Sequence, residues 1–311
     1  MKKVLITGAS GLLGINLALT AQRRGYKVVG VTLERDIHGT PFELFHMDLT
    51  KPGQVKKIIN DTQPDSIINC VALTDVDRCE QIPEEAQQVN AILPCQLAVE
   101  SHQAGIKLVQ ISTDAVFNGI KGDYVEDDHP SPLNVYASTK LDGETAVLEN
   151  DPWALVCRVN FYGWSITGHR SLAEWFYNKL SAGESIRGFT DALFSPLLAT
   201  DLADIILKLI EHDSHGIFHV VNPESISKYD FGVALAKRFD LDPSMITPAS
   251  IFDANMLATR SPKLNLNPAK LMKELKVNLP DQVTGISRFH NQYLDGYPRK
   301  LRGYSTTRED I

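Results

Sequence analysis

The segment "NVYASTK", residues 134–140, sets Tyr136 and Lys140 four positions apart. On a helix that spacing stacks the two side chains one turn apart on one face. Both are protonated at neutral pH, with ordinary pKa values of about 10 and about 10.4. An ammonium close to a phenol favours the phenolate and draws the phenol pKa down. Such a phenol can hand a proton to a developing alkoxide as a general acid. Aromatic and basic residues also share ordinary surface helices at this spacing, so the rest of the chain decides what the pair means.

A second chemical feature is "TGASGLLG", residues 7–14, between the apolar run "KKVLI" and the amphipathic stretch that starts at Gly14. Glycines at 8, 11 and 14 allow a tight turn and close approach of the backbone to a pyrophosphate. The helix that follows supplies free N–H groups and a positive dipole end. The predicted cofactor contacts in this cradle are Gly8, Ser10, Gly11, Leu12, Leu13 and Gly14. A carboxylate at the end of the second strand would bind the ribose hydroxyls of NAD. Thr32 stands at that place, and Arg35 just beyond can meet a 2′-phosphate, which favours NADP. Glu34 leaves NAD open. Asp48 and Leu49, after the third strand, are placed to meet the adenine.

A nicotinamide bound at that cradle gives the Tyr–Lys pair a task. Reduction of a ketone needs hydride on carbon and a proton on oxygen. Tyr136 supplies the proton, and Lys140 stabilises the tyrosinate left behind. Thr113, at the end of the strand "KLVQIST", can hold the substrate carbonyl; Ser112 points to the opposite face. Asn90 is the fourth predicted catalytic residue. Pro94 has no N–H to offer the Asn90 carbonyl, so that carbonyl can hold a water relaying protons toward Lys140. A plain helix kink or start at Pro94 fits the same residues.

These groups need a scaffold that brings them together. The chain has 311 residues, 43% hydrophobic and 22% charged, enough for a large core. Its net charge of −7, without a basic stripe, argues against a nucleic-acid partner. No apolar run approaches the roughly 20 residues that span a bilayer, and the apolar start is too short for a signal peptide. A cytoplasmic protein is expected. Four cysteines without metal-like spacing read as reduced thiols, and no metal site is predicted.

Over the first half, strand-like runs ("KKVLIT", "KVVGVT", "FELFHMDL", "DSIINCVAL", "KLVQIST", "ALVCRVN") alternate with helical ones ("GINLALTAQRRG", "PGQVKKIINDT", "PEEAQQVNAILPCQLAVESHQAG", "VYASTKLDGETAVLEN"). That rhythm predicts an α/β protein with a doubly wound parallel sheet covered on both faces. Residues 1–160 form the NAD(P)-binding domain, with 197–222 returning to it. Residues 161–196 and 223–302 form a smaller α/β substrate-binding lobe, and 303–311 a polar tail. In this half "SLAEWFYNKLSAG", "ATDLADIILKLIEH", "KYDFGVALAKRFD" and "PAKLMKELK" read as helices and "GIFHVV" as a strand.

TGxxGxxG, a Ser/Thr at the fifth strand and YxxxK together resemble the extended short-chain dehydrogenase/reductases, with a Rossmann fold. "ALTDVDRCEQIPEEAQQVNA", "LVQISTDAVFNG", "SPLNVYASTKLDGE" and "GIFHVVNPESISKYDFGVALA" are similar to the dTDP-4-dehydrorhamnose reductase subfamily, over most of the chain. The resemblance implies NAD(P)H-dependent reduction of a 4-keto group on a nucleotide-activated deoxysugar, for cell-surface polysaccharide biosynthesis, by a monomer or homodimer. It carries the roles above onto Tyr136, Lys140 and Thr113. It places Ala72 beside the cofactor, and Thr74, Asp75 and Val76 near the substrate. Arg260 falls near the nucleotide end of the substrate, where its fork suits pyrophosphate oxygens. Asn160, Tyr162 and Gly163 fall where relatives line the nicotinamide or the sugar. Ala115 stands where relatives have Tyr, and Ser261 interrupts their Arg-Pro, so another 4-keto sugar or another nucleotide stays open. The chain also resembles the beta subunit of methionine adenosyltransferase, which implies an NADP-binding regulatory subunit. An epimerase or dehydratase on the same fold is the third reading.

Overall fold

The computed structural model describes residues 1–33, 37–254 and 256–305. Its first half contains β1 (Lys3–Thr7), α1 (Leu12–Arg23), β2 (Lys27–Thr32), β3 (Glu43–His46), α2 (Gln54–Thr62), β4 (Ser66–Asn69), α3 (Val76–Gln81), α4 (Pro83–Gln87), α5 (Leu93–Ala104), β5 (Lys107–Thr113), α6 (Val135–Asn150) and β6 (Leu155–Val159). The second half contains β7 (Phe161–Tyr162), α7 (Leu172–Ser181), β8 (Ile186–Phe189), β9 (Leu193–Phe194), β10 (Leu197–Leu198), α8 (Ala199–Glu211) and β11 (Gly216–Val220). It continues with β12 (Ile226–Ser227), α9 (Lys228–Arg238), β13 (Ile246–Ala249), α10 (Ala269–Leu275), α11 (Gln282–Leu294) and α12 (Tyr297–Arg302).

Seven of these strands form one parallel sheet in the order β11-β6-β5-β4-β1-β2-β3. Apolar side chains alternate to both faces of each strand, so both faces must be covered. On one face Leu13 and Leu17 of α1 pack with Leu202, Ile206 and Leu209 of α8. On the other, Val55 and Ile58 of α2, Leu97 of α5 and Val147 of α6 close the core. The winding direction reverses between β1 and β4, which opens a crevice at the carboxyl ends of the strands. The termini of β1, β4 and β5 meet there. A buried ladder joins them: Thr7 Oγ1 donates to Asn69 (2.6 Å), Asn69 to Gln110 (2.8 Å), and Gln110 to the Ile111 carbonyl (2.9 Å).

A second core gathers Trp164, Phe176, Phe231 and Phe289 with Ile15 and Leu19 of α1. Trp164 stacks on Phe289 with ring centroids 4.1 Å apart. Phe289 belongs to α11, an element the apolar periodicity does not announce. Its sequence "QVTGISRFHNQYL" carries β-branched residues and a glycine within its first five positions, which weaken helix propensity. Gly285 is needed there, because a Cβ at that position would lie 2.7 Å from the Tyr162 hydroxyl. The start of the predicted tail is docked: Tyr304 is buried, and its carbonyl accepts from the His38 N–H (2.8 Å). The rest of the tail, 306–311, lies outside the described residues. No helix among the described residues is long and apolar enough to cross a membrane.

β11 buries His219 completely, its Nδ1 against the Tyr124 carbonyl (3.0 Å) and its ring edge-on to Phe117. Burial and the nearby Arg158 guanidinium pull its pKa down to about 3. The unfolded chain therefore binds the extra proton between about 6.5 and about 3. Stability is lost as pH falls through that window, at no more than about 1.4 kcal/mol per pH unit. Urea titrations at pH 7 and pH 5 are expected to show this loss, and His219→Gln is expected to flatten it. An unchanged slope in the variant would assign the loss to other groups.

Candidate active site

The glycine cradle has the geometry that its spacing requires. Gly8 adopts φ +66° and approaches the Cys70 backbone so closely that a Cβ would lie 3.0 Å away. Gly14 faces the Gly8 carbonyl, where a Cβ would sit at 2.1 Å. Gly11 caps α1 without a side-chain hydrogen bond, and the first turn of the helix holds no acid. The first-turn N–H groups are thus left for an anion, which fits a pyrophosphate. Ser10 and Leu12 are half-buried at the cradle. The Leu13 side chain lies in the core, so only its backbone can contribute. Thr32 ends β2 as expected, but is buried with its hydroxyl on His46 Nδ1 (3.0 Å). Asp48 accepts from the Thr50 N–H (3.0 Å) and hydroxyl (2.6 Å). The Leu49 side chain packs with Val29, Val31 and Ile58 in the core, so only its backbone can meet an adenine. Glu34 and Arg35 lie outside the described residues.

Tyr136 and Lys140 share α6, whose start is capped by Asn134 Oδ1 accepting from the Ala137 N–H (2.8 Å). Their side chains diverge. The Tyr136 phenol lies against the Thr113 hydroxyl, whereas the Lys140 ammonium runs under the strand end and donates to the Ile111 carbonyl (2.6 Å). Burial pushes the Tyr136 pKa up to about 12, with Thr113 opposing and the Asp114 charge adding. Burial pulls Lys140 down to about 8, against the pull of Glu144 and Cys70. The expectation that the ammonium draws the phenol toward working pH is not met in this arrangement. A four-residue spacing puts two stems on one face without making their tips meet.

Asp114 was not singled out from the sequence, although it stands next to Thr113 in "ISTD". Its carboxylate accepts from Thr113 Oγ1 (3.0 Å) and from Asn160 Nδ2 (2.5 Å), and burial raises its pKa to about 6. The Ala115 N–H donates to Thr113 Oγ1 (3.1 Å). Thr113 thus already spends its proton on Asp114. Ser112 points away, as alternation requires, and donates to Glu144. Glu144 also grips Arg158 through Nε and Nη2 (3.0 and 2.7 Å), an ion pair buried beneath the site.

Asn90 enters through its side chain. It accepts from the Leu73 N–H (2.9 Å) and donates to the Leu73 carbonyl (3.1 Å) and Thr139 Oγ1 (3.2 Å). This clamps the loop after β4, with Ala72, to α6. Around Asn90 the helix widens into a π-turn, Gln88–Ile92, ahead of Pro94. The Asn90 carbonyl is turned onto Gly143 of α6, where a Cβ would lie 2.2 Å from the oxygen. The sequence reading gave that carbonyl a water relay to Lys140. Here that carbonyl packs on the Gly143 backbone, and the Lys140 ammonium donates to the Ile111 carbonyl.

Across the crevice lie the residues assigned to the substrate. Thr74 and Asp75 are exposed, Val76 is half-buried, and Asp75 caps α3 by accepting from the Arg78 N–H (3.0 Å). Arg260 donates to Asp77 (2.9 Å) and to the Ala258 carbonyl (3.1 Å). Asn134, at the start of the Tyr136 helix, donates to the Thr259 carbonyl (2.9 Å), so the Arg260 loop is tied to α6. Ser261 is buried and donates to the Phe117 carbonyl (2.9 Å), which explains the residue inserted before Pro262. Tyr162 is 1% exposed, with its ring against Phe231 and Phe289, so only its backbone can line the crevice. Gly163 follows it, facing Ala199, where a Cβ would lie 2.9 Å from that methyl.

Residues 1–294 match the family model described as RmlD substrate binding domain. The chain is 33% identical to the probable low-salt glycan biosynthesis reductase Agl14 of Haloferax volcanii, over 88% of this chain and 93% of that one. It is 34% identical to methionine adenosyltransferase 2 subunit beta of Rattus norvegicus, over 84% and 79%. Among solved structures it is similar to dTDP-4-dehydrorhamnose reductase from Bacillus anthracis in complex with NADP, with TM-score 0.84 and 28% identity over 94% of this chain and all of that one. The glycine cradle at β1, the strand-end Thr113 and the Tyr136–Lys140 helix recur here on a seven-stranded Rossmann sheet, and the chain belongs to the RmlD substrate-binding-domain family of extended short-chain dehydrogenase/reductases.

Proposed function

We propose that the protein is an NADPH-dependent oxidoreductase that reduces the 4-keto group of a nucleotide-activated deoxysugar, in cell-surface polysaccharide biosynthesis. The observation that carries this reading is the Tyr136 phenol held against Thr113 at the carboxyl end of β5, two strands from the cradle that follows β1 in the same sheet. Bound NADPH supplies the hydride. Tyr136 gives the carbonyl oxygen its proton, and its raised pKa keeps that proton in place until an alkoxide develops. Thr113, in contact with both the phenol and the Asp114 carboxylate, positions the Tyr136 hydroxyl. Lys140 and the Asn90 clamp fix α6 against β5 and the loop after β4. The similarity to a reductase solved with NADP supports the choice of cofactor.

The test is consumption of NADPH with a panel of nucleotide-linked 4-keto deoxysugars, run again with NADH. One NADPH consumed per ketone reduced, with higher catalytic efficiency than NADH, is expected. A strong NADH preference would overturn the cofactor choice. Conversion without net NADPH loss would point to an epimerase or dehydratase instead. The similarity to methionine adenosyltransferase 2 subunit beta favours one second reading, an NADP-binding regulatory subunit without turnover. In that case the chain binds NADP and every sugar in the panel is inert.

A further inference from the structure

The loop from β2 to β3, residues 33–42, leaves the sheet where the ribose of a bound dinucleotide lies. Gln22 of α1 ties its far side through the Pro41 carbonyl. Its near side is held by the C-terminal segment. Ile37 pairs with Ser305 in an antiparallel bridge, and the His38 N–H donates to the Tyr304 carbonyl (2.8 Å). The Ile37 side chain is 1% exposed and packs in one core with Leu301 and Tyr304 and with Ile15 and Leu19 of α1.

The same segment reaches the glycine cradle. The Tyr297 hydroxyl, at the start of α12, donates to Asn16 Oδ1 (2.9 Å). Asn16 is buried in α1, and its amide donates to the Leu12 carbonyl (2.7 Å) and the Trp164 carbonyl (2.9 Å). Leu12 opens α1 directly after Gly11. Residues 297–305 therefore support both the helix that faces the pyrophosphate and the loop that follows the ribose strand.

Thr32 offers a ribose no carboxylate, and its hydroxyl is engaged with His46. Preference for a 2′-phosphate then rests on residues beyond Thr32, and Thr32 and Ile37 fix the two ends of the stretch that follows. We infer that the C-terminal segment is a positioning element of the cofactor site: Tyr304 and Ser305, by holding Ile37 and His38, set the preference for NADP over NAD. This rests on the proposed function for the identity of the cofactor. Tyr304 acts through the loop, its ring by burial beside Ile37 and its carbonyl by fixing the His38 backbone. A loop released at Ile37 would lose conformational entropy each time it closed on a ligand. That penalty falls on the ribose and 2′-phosphate side, because the pyrophosphate is held by the glycine turn.

The experiment measures dissociation constants for NADPH and NADH by fluorescence titration on the full chain, for the wild type, Tyr304→Ala, Tyr304→Leu and Tyr304→Phe. Thermal melts of each without cofactor accompany it. Tyr304→Ala is expected to weaken NADPH binding about 10-fold, the scale of one charge-assisted hydrogen bond, and NADH binding far less. Tyr304→Phe keeps the ring and should keep the wild-type ratio. Tyr304→Leu should fall between them, and gives the same comparison if Tyr304→Ala is too unstable to titrate. A residue with only a core role would lower the melting temperature and leave the ratio of the two affinities unchanged, and that result would overturn the assignment. Equal losses for the two cofactors would overturn it as well. The wild-type ratio tests the choice of cofactor, whereas the change in that ratio between variants tests the role of Tyr304, so the two readings fail separately.

Discussion

Tyr136→Phe is expected to lower kcat for ketone reduction by about 10²- to 10⁴-fold, the usual contribution of a positioned general acid. The substitution removes one oxygen and leaves the ring. α6 keeps its Asn134 cap, and Lys140 keeps its bond to the Ile111 carbonyl. NADP affinity and thermal stability should therefore stay near wild type. The phenol pKa of about 12 means that the group is protonated across the working range, so the loss should be of similar size from pH 6 to pH 9. The measurement is single-turnover NADPH oxidation at 340 nm with the ketosugar that the panel identifies. A variant that reduces the ketone at the wild-type rate would remove Tyr136 from the chemistry and with it the proposed mechanism.

Gly14→Ala should be the most damaging single-methyl change at the cofactor side. The added Cβ would lie 2.1 Å from the Gly8 oxygen, 2.8 Å from the Gly8 carbonyl carbon and 2.9 Å from Ala9 Cα. These are backbone atoms that hold the turn itself, and no side chain can swing away to make room. The turn must open, which costs about 1–3 kcal/mol or more by the usual scale of overpacking. NADP affinity is expected to fall by about 10- to 100-fold or beyond, since each 1.4 kcal/mol is tenfold. Fluorescence titration with NADPH measures it, and Gly11→Ala, whose Cβ would meet one atom at 3.1 Å, provides a graded comparison. Equal affinities for wild type and Gly14→Ala would mean that the cradle does not hold the pyrophosphate.

The particular residues show how far local pattern reaches. The parallel sheet was legible because each strand carries a continuous apolar run, and each helix between strands an apolar stripe. Gly11 and Gly14 were legible because their constraint is local, a turn whose own Gly8 and Ala9 backbone leaves no room for a Cβ, whereas Gly8 is also held by the Cys70 backbone from the next strand. Thr113 at a strand end and the Tyr–Lys pair on one helix were legible for the same reason. α11 escaped because its helix is made by packing against Tyr162 and Trp164 rather than by propensity. The Tyr162 and Leu49 side chains lie in the core, because a side chain next to a site in sequence can still turn inward, and only the neighbouring layer decides which way it turns.

By itself the sequence determined the fold class, the cradle and the residue types available for proton transfer, since each depends on periods and spacings within one element. The tertiary structure decided what those groups do to one another. It sent the Lys140 ammonium to Ile111 instead of the phenol, committed the Thr113 proton to Asp114, and turned the Asn90 carbonyl onto Gly143. It also laid Pro262 alongside the start of α9, through backbone pairing at 192–193 that no spacing encodes. Burial and partnership depend on contacts between distant segments, so charges and hydrogen bonds acquire their roles only once the chain is packed.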